Sequence, residues 1–230
     1  MGTYTITGGK RLNGEIDVGG AKNAVLPILA ACLLCEDQIV LENCPNLLDV
    51  ENTVSMMKEM GCKISADGSS IIVDASSLNS YELPQEYSKK MRSSIFMLGS
   101  LISRMKKATA YFPGGCEIGL RPIDLHLKAL KDMNVDIGEE GGIIYCNAEN
   151  MKATDIVLDY PSVGATENVL MAAILCDGMT TIHNSAREPE IVDLQGFLST
   201  YRTRKHPIET AAQSAPTLKA AGSNPVGRTM

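Results

Sequence analysis

The chain has 230 residues, 44% of them hydrophobic, and carries a formal net charge of −6. That length and apolar share support one large packed domain, and the negative balance argues against a general nucleic-acid or membrane-surface binder. Three Phe, seven Tyr and no Trp leave a core built from aliphatic side chains and Met.

The first predicted element is a helix of small and apolar residues, Lys22 to Leu34, opening after Gly19-Gly20. Free N–H groups at such a start, with the positive end of the helix dipole, form a ready anion site, and Lys22 adds a point charge. A solvated lysine is the alternative, although helix starts disfavour cations. Near the end of this helix Cys32 and Cys35 have half the spacing of a metal site. They sit in the apolar run Ala30–Cys35 with no second pair, which predicts small buried core cysteines. The seven cysteines are scattered and odd in number. With no signal peptide and no apolar run of membrane length, the chain reads as a reduced, cytoplasmic protein.

A strand is predicted over Gln38–Glu42, then an amphipathic helix over Leu48–Met60 with Val50, Val54, Met57 and Met60 on one face. Short strands at Cys62–Ser65 and Ser70–Asp74 follow. The same order then repeats. A helix is predicted over Ser88–Arg104, a strand over Ala108–Phe112, a helix over Pro122–Met133, and strands at Val135–Gly138 and Ile143–Asn147. A third round begins with the helix Ala165–Leu175, the strand Met179–Asn184 and the helix Pro189–Leu198. Asp49, Asp124 and Asp193 hold equivalent places near the start of each unit's second helix, where acids suit the dipole. With a preceding strand, each unit is βαβαββ, and the fold class is α/β.

The third unit then fails. Residues 201–230 carry five Lys or Arg against one Glu, which leaves 16 basic and 26 acidic residues for the first 200. Hydrophobic periodicity stops at the same point. A frameshift or truncation is the preferred reading; a disordered tail is the alternative, and contact of this basic stretch with nucleic acid is disfavoured.

The segment Pro113-Gly114-Gly115-Cys116-Glu117-Ile118-Gly119-Leu120-Arg121-Pro122-Ile123-Asp124-Leu125-His126 places a thiol in a glycine-rich loop beside an arginine able to clamp an anion. Three further stretches stand out: Gly20-Ala21-Lys22-Asn23-Ala24, Met91-Arg92-Ser93-Ser94, and Pro161-Ser162-Val163-Gly164-Ala165-Thr166-Glu167-Asn168. By themselves, Arg92 reads as a surface residue, Ser162-Val163-Gly164 as a turn before a helix, and His126 as structural.

Together, and in this order, these motifs resemble the enolpyruvyl transferase family, in the branch acting on UDP-N-acetylglucosamine. The resemblance covers about residues 1–198 and the first half of the family's length. It implies an inside-out α/β domain, helices within and sheets without, built from βαβαββ repeats and truncated in the third. It implies that residues 1–21, with strands at Thr3–Thr7 and Glu15–Val18, belong to a second domain's sheet. Residues 22–200 then form the first domain, and residues 201–230 an aberrant, disordered tail.

The resemblance also implies roles. Lys22 and Arg92 would hold phosphoenolpyruvate, and Asn23 the sugar nucleotide. Arg121 would be shared between them. Pro122, Ile123, Asp124 and Leu125 match the stretch around uracil, and Ser162, Val163 and Gly164 the loop around the diphosphate. Cys116 matches the thiol assigned to protonation or product release; Lys22, Arg92 and Arg121 nearby would favour its thiolate. The implied reaction transfers enolpyruvyl to the sugar 3′-hydroxyl in the first committed step of peptidoglycan synthesis, with no metal or organic cofactor. The family's general base lies in the half this chain does not match, so an inactive or incomplete fragment is expected. A non-catalytic sugar-nucleotide-binding protein and a relative acting on 3-phosphoshikimate remain alternatives. Sequence leaves the oligomeric state open.

Overall fold

The computed structural model describes residues 3–112 and 123–205. Its first unit is α1 (Lys22–Cys32), β1 (Gln38–Leu41), α2 (Leu48–Glu59), β2 (Lys63–Asp67) and β3 (Ser70–Asp74). The strands form an antiparallel sheet of order β1-β3-β2, with Val73 opposite both Ile39 and Ile64. The second unit is α3 (Gln85–Lys90), a 3-10 turn (Arg92–Phe96), α4 (Met97–Met105), β4 (Lys107–Tyr111), α5 (Asp124–Asp132), β5 (Asp136–Glu140) and β6 (Ile143–Asn147). Its sheet repeats the plan: β4-β6-β5, antiparallel, with Cys146 opposite both Ala108 and Ile137. The strand expected to precede this unit survives as one parallel bridge, Glu82 to Thr109.

The third unit is β7 (Asp155–Val157), α6 (Val163–Ala173), β8 (Thr181–His183) and α7 (Pro189–Lys205). β7 and β8 pair in parallel, Ile156 opposite Ile182. Among the described residues this unit stops at its second helix. α7 runs on through 201–205, so backbone helix continues past the point where the charge balance turns. Residues 206–230 lie outside the described residues, as does the expected disorder of that stretch.

The repeat extends to the ends of the second helices. Gly61 after α2 and Asn134 after α5 both take positive φ, +100° and 65°. This is the left-handed stop that glycine and asparagine tolerate best.

The three unit-opening helices lie inside. α4 packs against α6 on one side and α1 on the other, and α1 also meets α7. Leu29, Leu33, Leu98, Leu101, Val169 and Met171 have essentially no exposure. Each such side chain contributes roughly 1.5–3 kcal/mol by leaving water. The sheets cover this core with alternating faces: Ile71 and Val73 of β3 and Ile144 and Cys146 of β6 point inward, while Val40 and Tyr145 face out. Cys32 and Cys35 are buried, as their apolar setting predicted. Burial pushes the Cys32 thiol well above its ordinary value, with Cys35, Cys44 and Cys62 adding to the effect.

Two sequence expectations need correction. The helix predicted over Ser88–Arg104 is broken at Met91, whose φ of −125° and ψ of 123° are extended. Met91 instead caps the following 3-10 turn: its carbonyl accepts from the Ser94 N–H at 3.3 Å and from Ser94 Oγ at 2.8 Å. The strands expected at Thr3–Thr7 and Glu15–Val18 are absent: this stretch carries no strand, and Tyr4, Ile6, Ile16 and Val18 are all exposed. With no facing strand among the described residues, their backbone groups have no ladder to join.

Candidate functional site

The starts of α1 and α6, together with the 3-10 turn, open onto one cavity of about 520 Å³. That is within the range of small-molecule sites. Glycines set the approach of two of these helix starts. A Cβ at Gly20 would lie 2.0 Å from the carbonyl oxygen of Asn43, so only glycine lets the chain enter α1 at this place. A Cβ at Gly164 would lie 2.9 Å from the His126 ring and 3.0 Å from that of Phe96, so glycine lets α6 begin against those rings. The break at Met91 turns a would-be helix interior into a fresh start at Arg92, which lines the cavity.

Of the residues singled out by sequence, Lys22, Asn23, Arg92, Ser162, Val163 and Gly164 converge here, from positions as far apart as 22 and 164. α1 has no side-chain cap, and Ser162 caps α6 by accepting from the Ala165 N–H at 3.4 Å. In α1 the Ala24 N–H already donates to the Ala21 carbonyl at 3.2 Å, so the groups without an intrahelical acceptor are those at the very start of each helix. Lys22 is ion-paired with Asp49, and Asn23 Nδ2 donates to Glu190 Oε1 at 3.5 Å. Ile123 and Leu125 are buried in the core, and Asp124 is exposed on the first turn of α5. Any contact that Ile123 or Leu125 makes with a ligand would therefore use the backbone. Cys116, Arg121 and Pro122 lie outside the described residues.

Residues without an assigned role also line the site, among them His126, Glu167 and Glu190. The signal for Glu167 was present, because it is the one charged residue in α6, Val163–Ala173, a helix otherwise filled with apolar and small polar residues. It is 1% exposed. Burial pushes its carboxyl up to about 8, and the neighbouring Glu190 and Glu188 push the same way. Glu167 is therefore largely protonated at neutral pH. Of the cations that line the cavity, Lys22 is paired with Asp49 and Lys90 with Glu86, and Arg92 shares the lining with Glu190.

Opposite shifts in one pocket yield a testable pH profile. Glu167 is raised from 4.5, so its stabilising effect is full below about 4.5 and is lost as pH rises through about 8. His126 is lowered from 6.5 to about 4 by burial and then by Arg92, so its effect is full above 6.5 and lost as pH falls through about 4. Glu167→Gln is expected to flatten the alkaline side of the urea-midpoint profile and leave the acid side in place. An unchanged alkaline slope would show that Glu167 ionises freely.

Known proteins bear on the architecture first. The enolpyruvyl transferase NikO from Streptomyces tendae superposes with a TM-score of 0.73 at 23% identity, over 84% of this chain and 45% of that one. EPSP synthase from Acinetobacter baumannii gives 0.63 at 16% identity, over 78% and 42%. The fold is thus the inside-out α/β fold of enolpyruvyl transferases. The chain belongs to the EPSP synthase (3-phosphoshikimate 1-carboxyvinyltransferase) family, whose family model matches residues 6–218.

Among curated relatives, UDP-N-acetylglucosamine 1-carboxyvinyltransferase 2 of Caldanaerobacter subterraneus subsp. tengcongensis is 52% identical over 89% of this chain and 49% of its own length. UDP-N-acetylglucosamine 1-carboxyvinyltransferase 1 of Carboxydothermus hydrogenoformans is 47% identical over 86% and 47%. The chain spans about half the length of the curated relatives it matches. Among the described residues no helix is long and apolar enough to cross a membrane.

Proposed function

We propose that this chain supplies the half-site of a UDP-N-acetylglucosamine 1-carboxyvinyltransferase that binds phosphoenolpyruvate and the sugar nucleotide in bacterial peptidoglycan synthesis. One observation carries the reading. Lys22, Asn23, Arg92 and Ser162–Gly164 line a single cavity, in a chain 52% identical to a relative of that name. The same cavity speaks against reading Arg92 as a mere surface residue.

In the proposed reaction the sugar 3′-hydroxyl oxygen bonds to C2 of phosphoenolpyruvate, C3 gains a proton, and the hydroxyl loses one. The tetrahedral intermediate then expels inorganic phosphate and the C2–C3 double bond re-forms as C3 loses a proton. Lys22 and Arg92 hold the phosphoenolpyruvate anion, with Arg121 shared between both substrates. Such fixed cations stabilise charge as it moves. Asn23 orients the sugar. The hydroxyl of Ser162 and the N–H groups of Val163 and Gly164 receive diphosphate oxygens. Pro122, Ile123, Asp124 and Leu125 frame the uracil, and the Cys116 thiol assists proton transfer or product release. The chemistry calls on no metal or organic cofactor, and the setting is the cytoplasm. The general base belongs to the half of the relatives that this chain does not match.

Calorimetric titration and phosphate release test this together. The chain is expected to bind UDP-N-acetylglucosamine, to hold phosphoenolpyruvate only at high concentration, and to turn over at least about 10²–10⁴-fold below a full-length relative. A folded chain that binds 3-phosphoshikimate and ignores the sugar nucleotide would overturn the assignment.

The Lys22–Asp49 pair gives a sharper handle. Both partners are substantially exposed, 51% and 34%, so the pair contributes about 0–1 kcal/mol to stability. Its carboxylate nevertheless competes with any anion for the same ammonium. Asp49→Asn is expected to leave the urea midpoint nearly unchanged and to tighten phosphoenolpyruvate binding several-fold. Weaker binding would place the phosphoenolpyruvate away from Lys22.

A further inference from the structure

Asn168 on α6 is completely buried, and its amide has three partners. Oδ1 accepts from the Gly99 N–H at 2.7 Å. Nδ2 donates to the Ile95 carbonyl at 2.9 Å and faces His126 Nδ1 at 2.8 Å. The first two contacts leave no freedom to exchange oxygen and nitrogen. An N–H must meet the oxygen, and a carbonyl must meet the NH₂. The group facing His126 is therefore a pure donor, so Nδ1 must accept and the ring proton must sit on Nε2.

His126 is 4% exposed, yet it lines the cavity and its Nε2 lies beside Gly164, where an added Cβ would come within 3.1 Å. Among the described residues Nε2 has no hydrogen-bond partner. An N–H at the cavity wall with no protein acceptor is left for water or a bound ligand to satisfy. Arg92 acts electrostatically on the same ring. A cation beside an N–H donor at the first turn of α6 selects an anionic acceptor rather than a neutral one.

We infer that Asn168 is a positioning residue: it locks His126 as the Nε2–H tautomer so that the ring donates to a phosphoryl oxygen of a ligand held beside Arg92. The ligand class rests on the proposed sugar-nucleotide function, but the lock and the donor do not. The ring cannot take the proton on Nδ1 without facing the Asn168 NH₂ donor to donor. His126 thus serves as a fixed neutral donor and not as a proton shuttle.

Nitrogen-15 NMR of the histidine rings in the 230-residue chain tests this, with inorganic pyrophosphate and UDP-N-acetylglucosamine as separate probes. The unliganded chain should show His126 with a bare Nδ1 and a protonated Nε2, and each probe should shift Nε2. Asn168→Asp replaces the donor by an acceptor, which should move the ring proton to Nδ1 and weaken pyrophosphate binding about ten- to hundredfold. Should that variant fail to fold, His126→Gln and His126→Phe decide the matter: the first keeps an N–H donor and should retain most of the affinity, and the second should lose it. An Nδ1–H tautomer in the unmodified chain would overturn the inference. So would an Nε2 resonance indifferent to both probes. A response to pyrophosphate but not to the nucleotide would leave the lock standing and sink the sugar-nucleotide reading.

Discussion

Gly99→Ala is expected to destabilise the chain by about 3–5 kcal/mol, whereas Gly196→Ala stabilises it by about 0.5–1 kcal/mol. The chemical change is the same and both glycines are helical. A Cβ at Gly99 would lie 2.3 Å from the Asn168 carbonyl oxygen and 2.8 Å from its Oδ1. α4 must then move off α6, which opens the core and leaves the buried Asn168 amide without its Gly99 partner. Overpacking of this kind costs about 1–3 kcal/mol and a buried unsatisfied polar group a similar amount. Against a total stability of roughly 5–15 kcal/mol the loss is large. Around Gly196, on the exposed side of α7, a Cβ meets nothing within 4 Å. There alanine only improves helix propensity. Urea denaturation of the two variants beside the parent checks the pair, and equal effects at the two positions would contradict close packing of α4 on α6.

Arg92→Ala is expected to weaken the binding of UDP-N-acetylglucosamine or phosphoenolpyruvate by about 10–100-fold, since a hydrogen bond to a charged group contributes about 1.5–3 kcal/mol. The same substitution should move His126 upward from about 4, because the guanidinium is the second cause of its depression after burial. Arg92→Lys should recover part of that electrostatic effect and less of the binding, because an ammonium lacks the planar fork that grips a carboxylate or phosphate at two points. Titration calorimetry and histidine NMR separate these outcomes. A loss of binding with His126 unmoved would place Arg92 on the ligand but away from the ring.

Local pattern alone was enough to read the repeat. Helical spacing at Val50, Val54 and Met57 and the short apolar run Ile71–Val73 are set within a few residues. The matching sheet orders β1-β3-β2 and β4-β6-β5 bear out the repetition. The inside-out arrangement came from the family resemblance, because hydrophobic period reports which face of an element is buried and not which layer lies outermost. For the site, the chain order of motifs pointed to Lys22, Asn23, Arg92 and Ser162–Gly164 before any geometry was known.

Tertiary structure decided the rest. Whether Ser88–Arg104 would be one helix or two was settled at Met91, whose extended backbone ends α3 and caps the 3-10 turn, a break that the uninterrupted helical pattern does not mark. The purpose of Asn168 emerges only where Ile95, Gly99 and His126, distant in sequence, arrive around its amide. Glu167 carries a formal charge in sequence. It becomes a neutral acid only through burial beside Glu190 and Glu188, residues 23 and 21 positions further along the chain. Charge, tautomer and protonation state depend on distance through space and on exclusion of water, and neither is a property of neighbours in sequence.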